Sequence, residues 1–183
     1  SEMCIRDRLG TEEVADFIPA KEGAYPEGVI GIRAPQSEDL VFRAGKTLEY
    51  LTEQEDFEGK AGGIRRMKDG SLQLALIRGT KIAADGLGLS MEAGDEVAIA
   101  LTRAVDETLF GTFKALKVTK VTLTGVTPKG TFYIDGVAQP VRVKAGQAVL
   151  TLPAGQHSLE YTAGKAMPLP AEITDVEYEK NHF

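Results

Sequence analysis

The sequence has little or none of several residue types on which common kinds of protein chemistry depend. Its 183 residues include one cysteine, Cys4, no tryptophan and two histidines, His157 and His182. A single cysteine excludes a disulfide framework within the chain. Two histidines so far apart in sequence do not indicate a histidine-rich metal or catalytic cluster, so a metal site would depend on carboxylates. We therefore expect no cofactor.

Long hydrophobic runs and an excess of positive charge are also missing. No stretch approaches the roughly 20 consecutive apolar residues that a transmembrane helix needs. The formal net charge is −6, whereas proteins that bind nucleic acid present basic patches to the phosphate backbone. We expect no membrane span in this chain and no nucleic-acid partner.

The first eight residues, "SEMCIRDR", show no strand alternation, no helical periodicity and no apolar core of a signal peptide. Their back-translation resembles the transposase end sequence that is ligated onto DNA fragments in sequencing libraries. We interpret residues 1–8 as a translated adapter and expect the chain to be a fragment. Without them no cysteine remains, which excludes a thiolate nucleophile and a cysteine-based zinc site.

The remaining sequence is rich in short apolar alternations that end at glycine-containing turns. In "EVAIALT", Val97, Ile99 and Leu101 fall on one face of a strand and the polar or small residues on the other. The same alternation occurs in "SLQLAL" (71–76), "GTFYID" (130–135) and "QHSLEYT" (156–162). Three Asp-Gly pairs, Asp69-Gly70, Asp85-Gly86 and Asp135-Gly136, lie beside such runs and predict hairpin turns.

Three local patterns predict further detail. Ala-Gly pairs recur every nine residues at 145–146, 154–155 and 163–164, one strand plus one turn apart, and predict an antiparallel meander. In "LKVTKVTLT" (116–124) the alternation changes phase, which predicts a bulge or bend near Thr119-Lys120 where the chain passes between sheets. The segment "TEEVADF" (11–17) is the one plausible helix, with Thr11 as its N-cap.

About a dozen short strands, with turns every 8 to 12 residues, favour an all-β fold built as an antiparallel β-sandwich. We expect a large sandwich over residues 9–115 and a smaller β unit over 116–167 that packs on it or continues it. Pro168 and Pro170 favour a linker, so residues 168–183 are interpreted as that linker and the start of a truncated further domain.

The candidate binding residues are those that could hold a carbohydrate. Tyr133 is the best aromatic platform because its two neighbours in sequence should face the core and leave its ring on the other face. Arg65, Arg66 and Arg142 could hold an anionic glycan, since arginine binds carboxylate and sulfate groups bidentately. The alternatives are a tyrosine packed against a neighbouring sheet or domain and arginines that are simply solvated.

No active site is indicated by the sequence. His157 could act as a general base only beside an orienting carboxylate, and Glu160 in a strand points to the opposite face, so a histidine that covers a turn is the alternative. The Asp-Gly pairs lack the spacing of a calcium loop. A nucleophile elbow, a phosphate-binding glycine loop and a dinucleotide fingerprint are also missing, and no catalytic residue is assigned.

Two stretches, "DLVFRAGK…DGLGLS" (39–90) and "GTFYIDGV…AMPLP" (130–170), carry a family resemblance, with "YIDG" and "LPAGQHSLEY" as its clearest motifs. They resemble the β-sandwich regions that follow the catalytic parts of large secreted bacterial polysaccharide-degrading proteins, including heparinase II/III-like lyases. Such lyases use a histidine and a tyrosine, but no motif places these roles on Tyr133, Tyr161 or His157. The resemblance implies a β-sandwich in a secreted or cell-surface, multidomain parent.

The expected function is therefore that of a non-catalytic accessory or C-terminal domain of such a parent. Its partners would be the other domains of the parent chain and the polysaccharide itself. Two alternatives remain: the domain supplies part of a lyase or hydrolase active site that further sequence completes, or it is a surface adhesion or tandem structural β-domain.

Overall fold

The computed structural model describes residues 16–18 and 25–162, and every regular element in them is a β-strand. The strands are Asp16–Ile18 (β1), Val29–Ala34 (β2), Ser37–Leu51 (β3), Glu55–Met67 (β4), Leu72–Ala84 (β5), Leu87–Ser90 (β6), Val97–Arg103 (β7), Leu109–Ala115 (β8), Thr119–Thr124 (β9), Thr131–Ile134 (β10), Val137–Ala138 (β11), Gln147–Leu152 (β12) and Gly155–Thr162 (β13). All their pairings are antiparallel, so the predicted all-β, antiparallel fold class is confirmed.

The strands form one hydrogen-bonded sheet with a branch. The main run follows the order β1-β2-β3-β4-β5-β7-β8-β13-β10-β11, and β6, β9 and β12 form a side branch from β5. Strand β5 belongs to both parts because its first half, Leu72 to Leu76, pairs with β7, whereas Lys81 to Ala84 pair with β6. The two parts diverge within this one strand.

Buried side chains from the main run and the side branch belong to a single hydrophobic core. Buried and more exposed residues alternate, as the sequence predicts, over 72–76 in β5, 97–101 in β7 and 159–161 in β13, and also over 121–123 in β9 and throughout β12. The largest fully buried side chains include Tyr161, Phe42, Phe57, Phe113 and Phe132. Each such apolar side chain contributes about 1.5 to 3 kcal/mol through its burial, so the shared core links the two parts energetically.

Glycines allow β4 and β5 to bend where the two parts diverge. The register between β4 and β5 shifts on both sides of Gly59, which lies opposite Gly79. A Cβ atom on Gly79 would stand 2.6 Å from the carbonyl oxygen of Glu58, and the Gly79 N–H donates to the Gly94 carbonyl at 2.8 Å. The backbones approach too closely here for a side chain, which gives these glycines a specific role.

The three Asp-Gly pairs all lie in the tight turns that the sequence predicts. They connect β4 to β5, β5 to β6 and β10 to β11. At the last two turns both residues have positive φ, 49° and 87° at Asp85 and Gly86, and 50° and 78° at Asp135 and Gly136. Positive φ at both central residues defines the primed turn that matches the twist of a hairpin.

The predicted meander at the nine-residue repeat is wrong. Strands β12 and β13 follow each other in sequence but do not pair: β12 pairs with β9, whereas β13 pairs with β8 and β10. The turn at Pro153 and Ala154 carries the chain from the side branch back to the main run. Repeat length determines how long a strand is, but the partner of a strand depends on distant sequence.

The predicted bend near Thr119-Lys120 and the predicted helix over 11–17 both need correction. The change of phase lies earlier than Thr119-Lys120, because Leu116 and Val118 are exposed in the connection from β8 to β9, which passes from the main run to the side branch. The end of the predicted helix is wrong, since Asp16 belongs to β1 and pairs with β2. Pairing with an edge strand satisfies the backbone groups there. The rest of the helix prediction and the linker at 168–183 lie outside the described residues.

The sheet continues across position 115, where we placed a boundary between two units. Strand β9 pairs with β6, and β13 pairs with β8, so strands on both sides of the boundary are hydrogen-bonded to each other. The boundaries themselves stay a prediction.

Candidate functional site

The register of the strands places the candidate residues on two opposite faces of the main run. Residues directly opposite each other on paired strands point to the same face. Leu74, Leu101 and Leu159 are linked by register through Gly111, and all three leucines are buried, which marks the inner face. Residues one position out of step with them point to the outer face.

One row on the outer face crosses six strands and contains two of the four candidate residues. From β4 to β10 its members, called the outer row below, are Arg65, Gln73, Thr102, Phe110, Glu160 and Tyr133. With a strand spacing of about 4.8 Å, the outer row spans about 24 Å. The row combines aromatic rings with side chains that can donate and accept hydrogen bonds.

At the β4 end of the outer row, Arg65 is held in place by Asp39 on β3. Its Nε and Nη2 atoms donate to the two carboxylate oxygens at 2.9 and 2.8 Å. The side chain of Asp39 is 14% exposed, that of Arg65 40%. The hydrogen bond to Asp39 raises the pKa of Arg65. The guanidinium is therefore fixed in one orientation with its charge compensated, and its exposed edge remains on the outer face.

At the other end the outer row presents two aromatic residues on either side of Glu160. Phe110 is 48% exposed although it is large and apolar, and Tyr133 is half-buried between the buried Phe132 and Ile134. They stand two strands apart, about 10 Å. Tyr133 thus faces away from the core, as its neighbours in sequence indicate. Phe110 was missed at the sequence level, although its position one residue after an inner-face leucine signals it.

A row of small side chains lies beside the outer row, two residues along each strand. Its members, called the floor row below, are Gly63, Ala75, Ala100 and Thr112 on β4, β5, β7 and β8. A cleft of about 280 Å³ opens over Gly63 and Ala75, between Arg65 with Gln73 on one side and Ile77 on the other. The cleft lies beside the outer row at β4 and β5, and Ala100 and Thr112 continue its row of small side chains onto β7 and β8.

Arg66, adjacent to Arg65 in sequence, points to the other face and belongs to a different cluster. Its guanidinium donates to both carboxylate oxygens of Asp85, at 2.8 and 3.1 Å, and also to Glu55. Arg103 donates to the backbone carbonyl of Asp85 at 3.1 Å. The hydrogen bonds to Asp85 and then Glu55 raise the pKa of Arg66. This cluster joins the two ends of the β4–β5 hairpin and lies apart from the outer row.

Arg142 is also separate from the outer row. It is exposed in the connection between β11 and β12, beside Lys144 and the exposed Val149 of the side branch. The four candidate residues thus occupy three places: Arg65 and Tyr133 share the outer row, whereas Arg66 and Arg142 lie elsewhere.

His157 has the orienting carboxylate that a general base needs, but its second nitrogen is occupied as well. Its Nδ1 lies 2.5 Å from Asp135 Oδ2, and its Nε2 lies 2.7 Å from the carbonyl oxygen of Ala154. Both partners are acceptors, so both ring nitrogens must carry protons to satisfy them. The bonds to Ala154 and Asp135 raise the pKa of His157, which favours a structural imidazolium over a base.

Within residues 16–18 and 25–162, no group of three or more His, Cys, Asp or Glu side chains is arranged to hold a metal ion. The same residues include no helix with the length and apolar character of a membrane span.

Comparison with known proteins gives no match to any protein-family model and none to a curated protein.

Proposed function

We propose that this chain is a non-catalytic accessory β-domain of a larger secreted bacterial protein that acts on polysaccharides, and that it binds polysaccharide through the outer row. The observation that carries the proposal is the shared row of Arg65, Phe110 and Tyr133, three side chains from distant parts of the sequence on one outer face. Aromatic rings stack on the apolar faces of sugar rings, and the polar members can bond to hydroxyl groups.

The family resemblance supports the same proposal from an independent direction. Its two stretches, 39–90 and 130–170, contain four of the six residues of the outer row. Secretion and the parent's action on polysaccharides rest on this resemblance. The non-catalytic role is supported by the bonding of His157, whose two ring nitrogens already serve structural acceptors.

The proposal is tested by affinity electrophoresis of the purified full chain in gels that contain single polysaccharides. We expect at least one polysaccharide to retard the chain, and Phe110→Ala to weaken that retardation roughly tenfold, the equivalent of one aromatic contact. Val149→Ala is the matched control, because Val149 is 49% exposed on β12 and Phe110 48% on β8. Retardation by no polysaccharide would contradict the binding role.

A second measurement tests the non-catalytic part. The same polysaccharides are incubated with the chain, and reducing ends and unsaturated products are followed. We expect neither to accumulate. Sustained release of products by the purified chain would instead support the alternative in which this domain carries an active site.

A further inference from the structure

We infer that the ligand of the outer row is an uncharged linear polysaccharide, which lies across the strands along the floor row. This inference rests on the proposed function and narrows it in two respects: the chemical class of the glycan and the direction in which it lies. It follows from the shape of the outer face and from the charges that border it.

The floor row runs between two flanking rows. The outer row lies on one side of it, and Ala98, Lys114 and Gln156, linked by register on β7, β8 and β13, lie on the other. The flanking rows are four residues apart along each strand, about 13 Å, and the floor row crosses three strand spacings, about 14 Å. A chain of sugar rings that lies across the strands would contact the floor row and both flanking rows.

The polar side chains beside the floor row suit hydroxyl groups. Gln73, Thr102 and Glu160 in one flanking row and Gln156 in the other offer amide, hydroxyl and carboxylate groups at partly or fully exposed positions. Hydroxyl groups both donate and accept, so they pair with all of these. Phe110, in the same row as Thr102 and Glu160, adds an exposed apolar surface, which suits the apolar face of a pyranose ring.

The charges along the floor row and its two flanking rows, from β4 to β13, do not favour an anionic chain. Arg65 is already paired with Asp39 of β3, and the other charged side chains of these rows are one cation, Lys114, and one acid, Glu160. Glu160 stands between the two aromatic residues, where a uronate or sulfate group would be repelled. Since neither sign is in excess, an uncharged glycan meets no electrostatic penalty at this face.

The experiment compares soluble neutral polysaccharides, laminarin and galactomannan, with the anionic alginate and polygalacturonate, using the full chain and two variants. Ala100→Gln places a long side chain in the middle of the floor row. Thr151→Gln, on the exposed face of β12 in the side branch, is the matched control. Circular dichroism and urea unfolding establish that both variants are folded.

We expect a neutral polysaccharide to bind with little dependence on salt, neither anionic polymer to bind, Ala100→Gln to weaken binding tenfold or more, and Thr151→Gln to leave it unchanged. Binding of the anionic polymers alone would overturn the inferred class of glycan but leave the proposed function standing. Neutral binding that Ala100→Gln does not affect would overturn the location in the floor row. Binding of no polysaccharide would overturn both the inference and the proposed function.

Discussion

Arg66 and Glu55 lie eleven residues apart on the same strand, β4, and their side chains form an ion pair. A straight strand of that length would separate them by about 36 Å. The bend at Gly59 and Gly79 removes this separation, because it lets the two ends of the β4–β5 hairpin approach each other. Arg66 therefore joins the two ends of one strand, and its bond to Asp85 adds the turn that leads into the side branch.

Replacement of Arg66 by alanine should destabilise the protein more than the loss of an ordinary surface ion pair. The Glu55 side chain is 12% exposed, and Arg66→Ala would leave it without this cation, at a cost of about 2 to 3 kcal/mol in the free energy of unfolding. Arg33→Ala is the control, because its pair with Glu38 is exposed and should contribute less than about 1 kcal/mol. Urea unfolding measures both, and equal losses would show that Arg66 contributes no more than an exposed ion pair.

The hydroxyl group of Tyr161 should make a separate contribution to stability. Tyr161 is fully buried on β13 and donates to the carbonyl oxygen of Thr127, 34 residues away, while burial raises its pKa and keeps it protonated. Tyr161→Phe keeps the ring but leaves that carbonyl without this donor, so we expect a loss of about 1 to 3 kcal/mol. Tyr161→Ala should cost about 3 to 5 kcal/mol. If Tyr161→Phe is as stable as the unmutated chain, the hydrogen bond contributes no net free energy of unfolding.

The features that could be predicted from the sequence are those set by neighbouring residues. Alternation identified the buried faces of β5, β7 and β13, and the Asp-Gly pairs identified the turns, because both depend on residues within one strand and turn. The ion pair of Arg66 could not be predicted, since it depends on a bend in β4. The common row of Arg65 and Tyr133 depends on the register of six strands. The sequence could therefore indicate each residue as a candidate but could not place the two in one row.

The close backbone contact at Gly79 should tolerate no side chain. A Cβ atom there would lie 2.6 Å from the Glu58 carbonyl oxygen and 2.9 Å from the Cα of Gly59, so Gly79→Ala requires the β4–β5 pair to move apart. We expect a loss of about 2 kcal/mol or more. Gly45→Ala is the matched control, since a Cβ atom at Gly45 has no neighbour within 4 Å. If both variants unfold at the same urea concentration, the bend does not require glycine at position 79.

The bonding of His157 should make stability depend on pH in a defined range. Its pKa is raised above the ordinary value of 6.5, first by the carbonyl of Ala154 and then by Asp135. The contribution of the imidazolium is thus fully present below pH 6.5 and is lost as the pH rises through the raised value. The pKa of Asp135 is lowered from 3.8 by the backbone N–H of Ser158 and by His157, so its contribution is present above pH 3.8 and is lost only as the pH falls through the lowered value.

The raised pKa of His157 and the lowered pKa of Asp135 together place the greatest contribution of this pair to stability between pH 3.8 and 6.5. We expect the urea midpoint of the unmutated chain to decrease as the pH rises above 6.5, and that of His157→Gln to decrease less over the same range. Glutamine can still donate to one acceptor but has no proton to lose there. The comparison also tests the catalytic alternative, because a general base must be neutral when it acts. If, at pH values above 6.5, the urea midpoint of the unmutated chain increases relative to that of the glutamine variant, His157 is neutral in the folded protein.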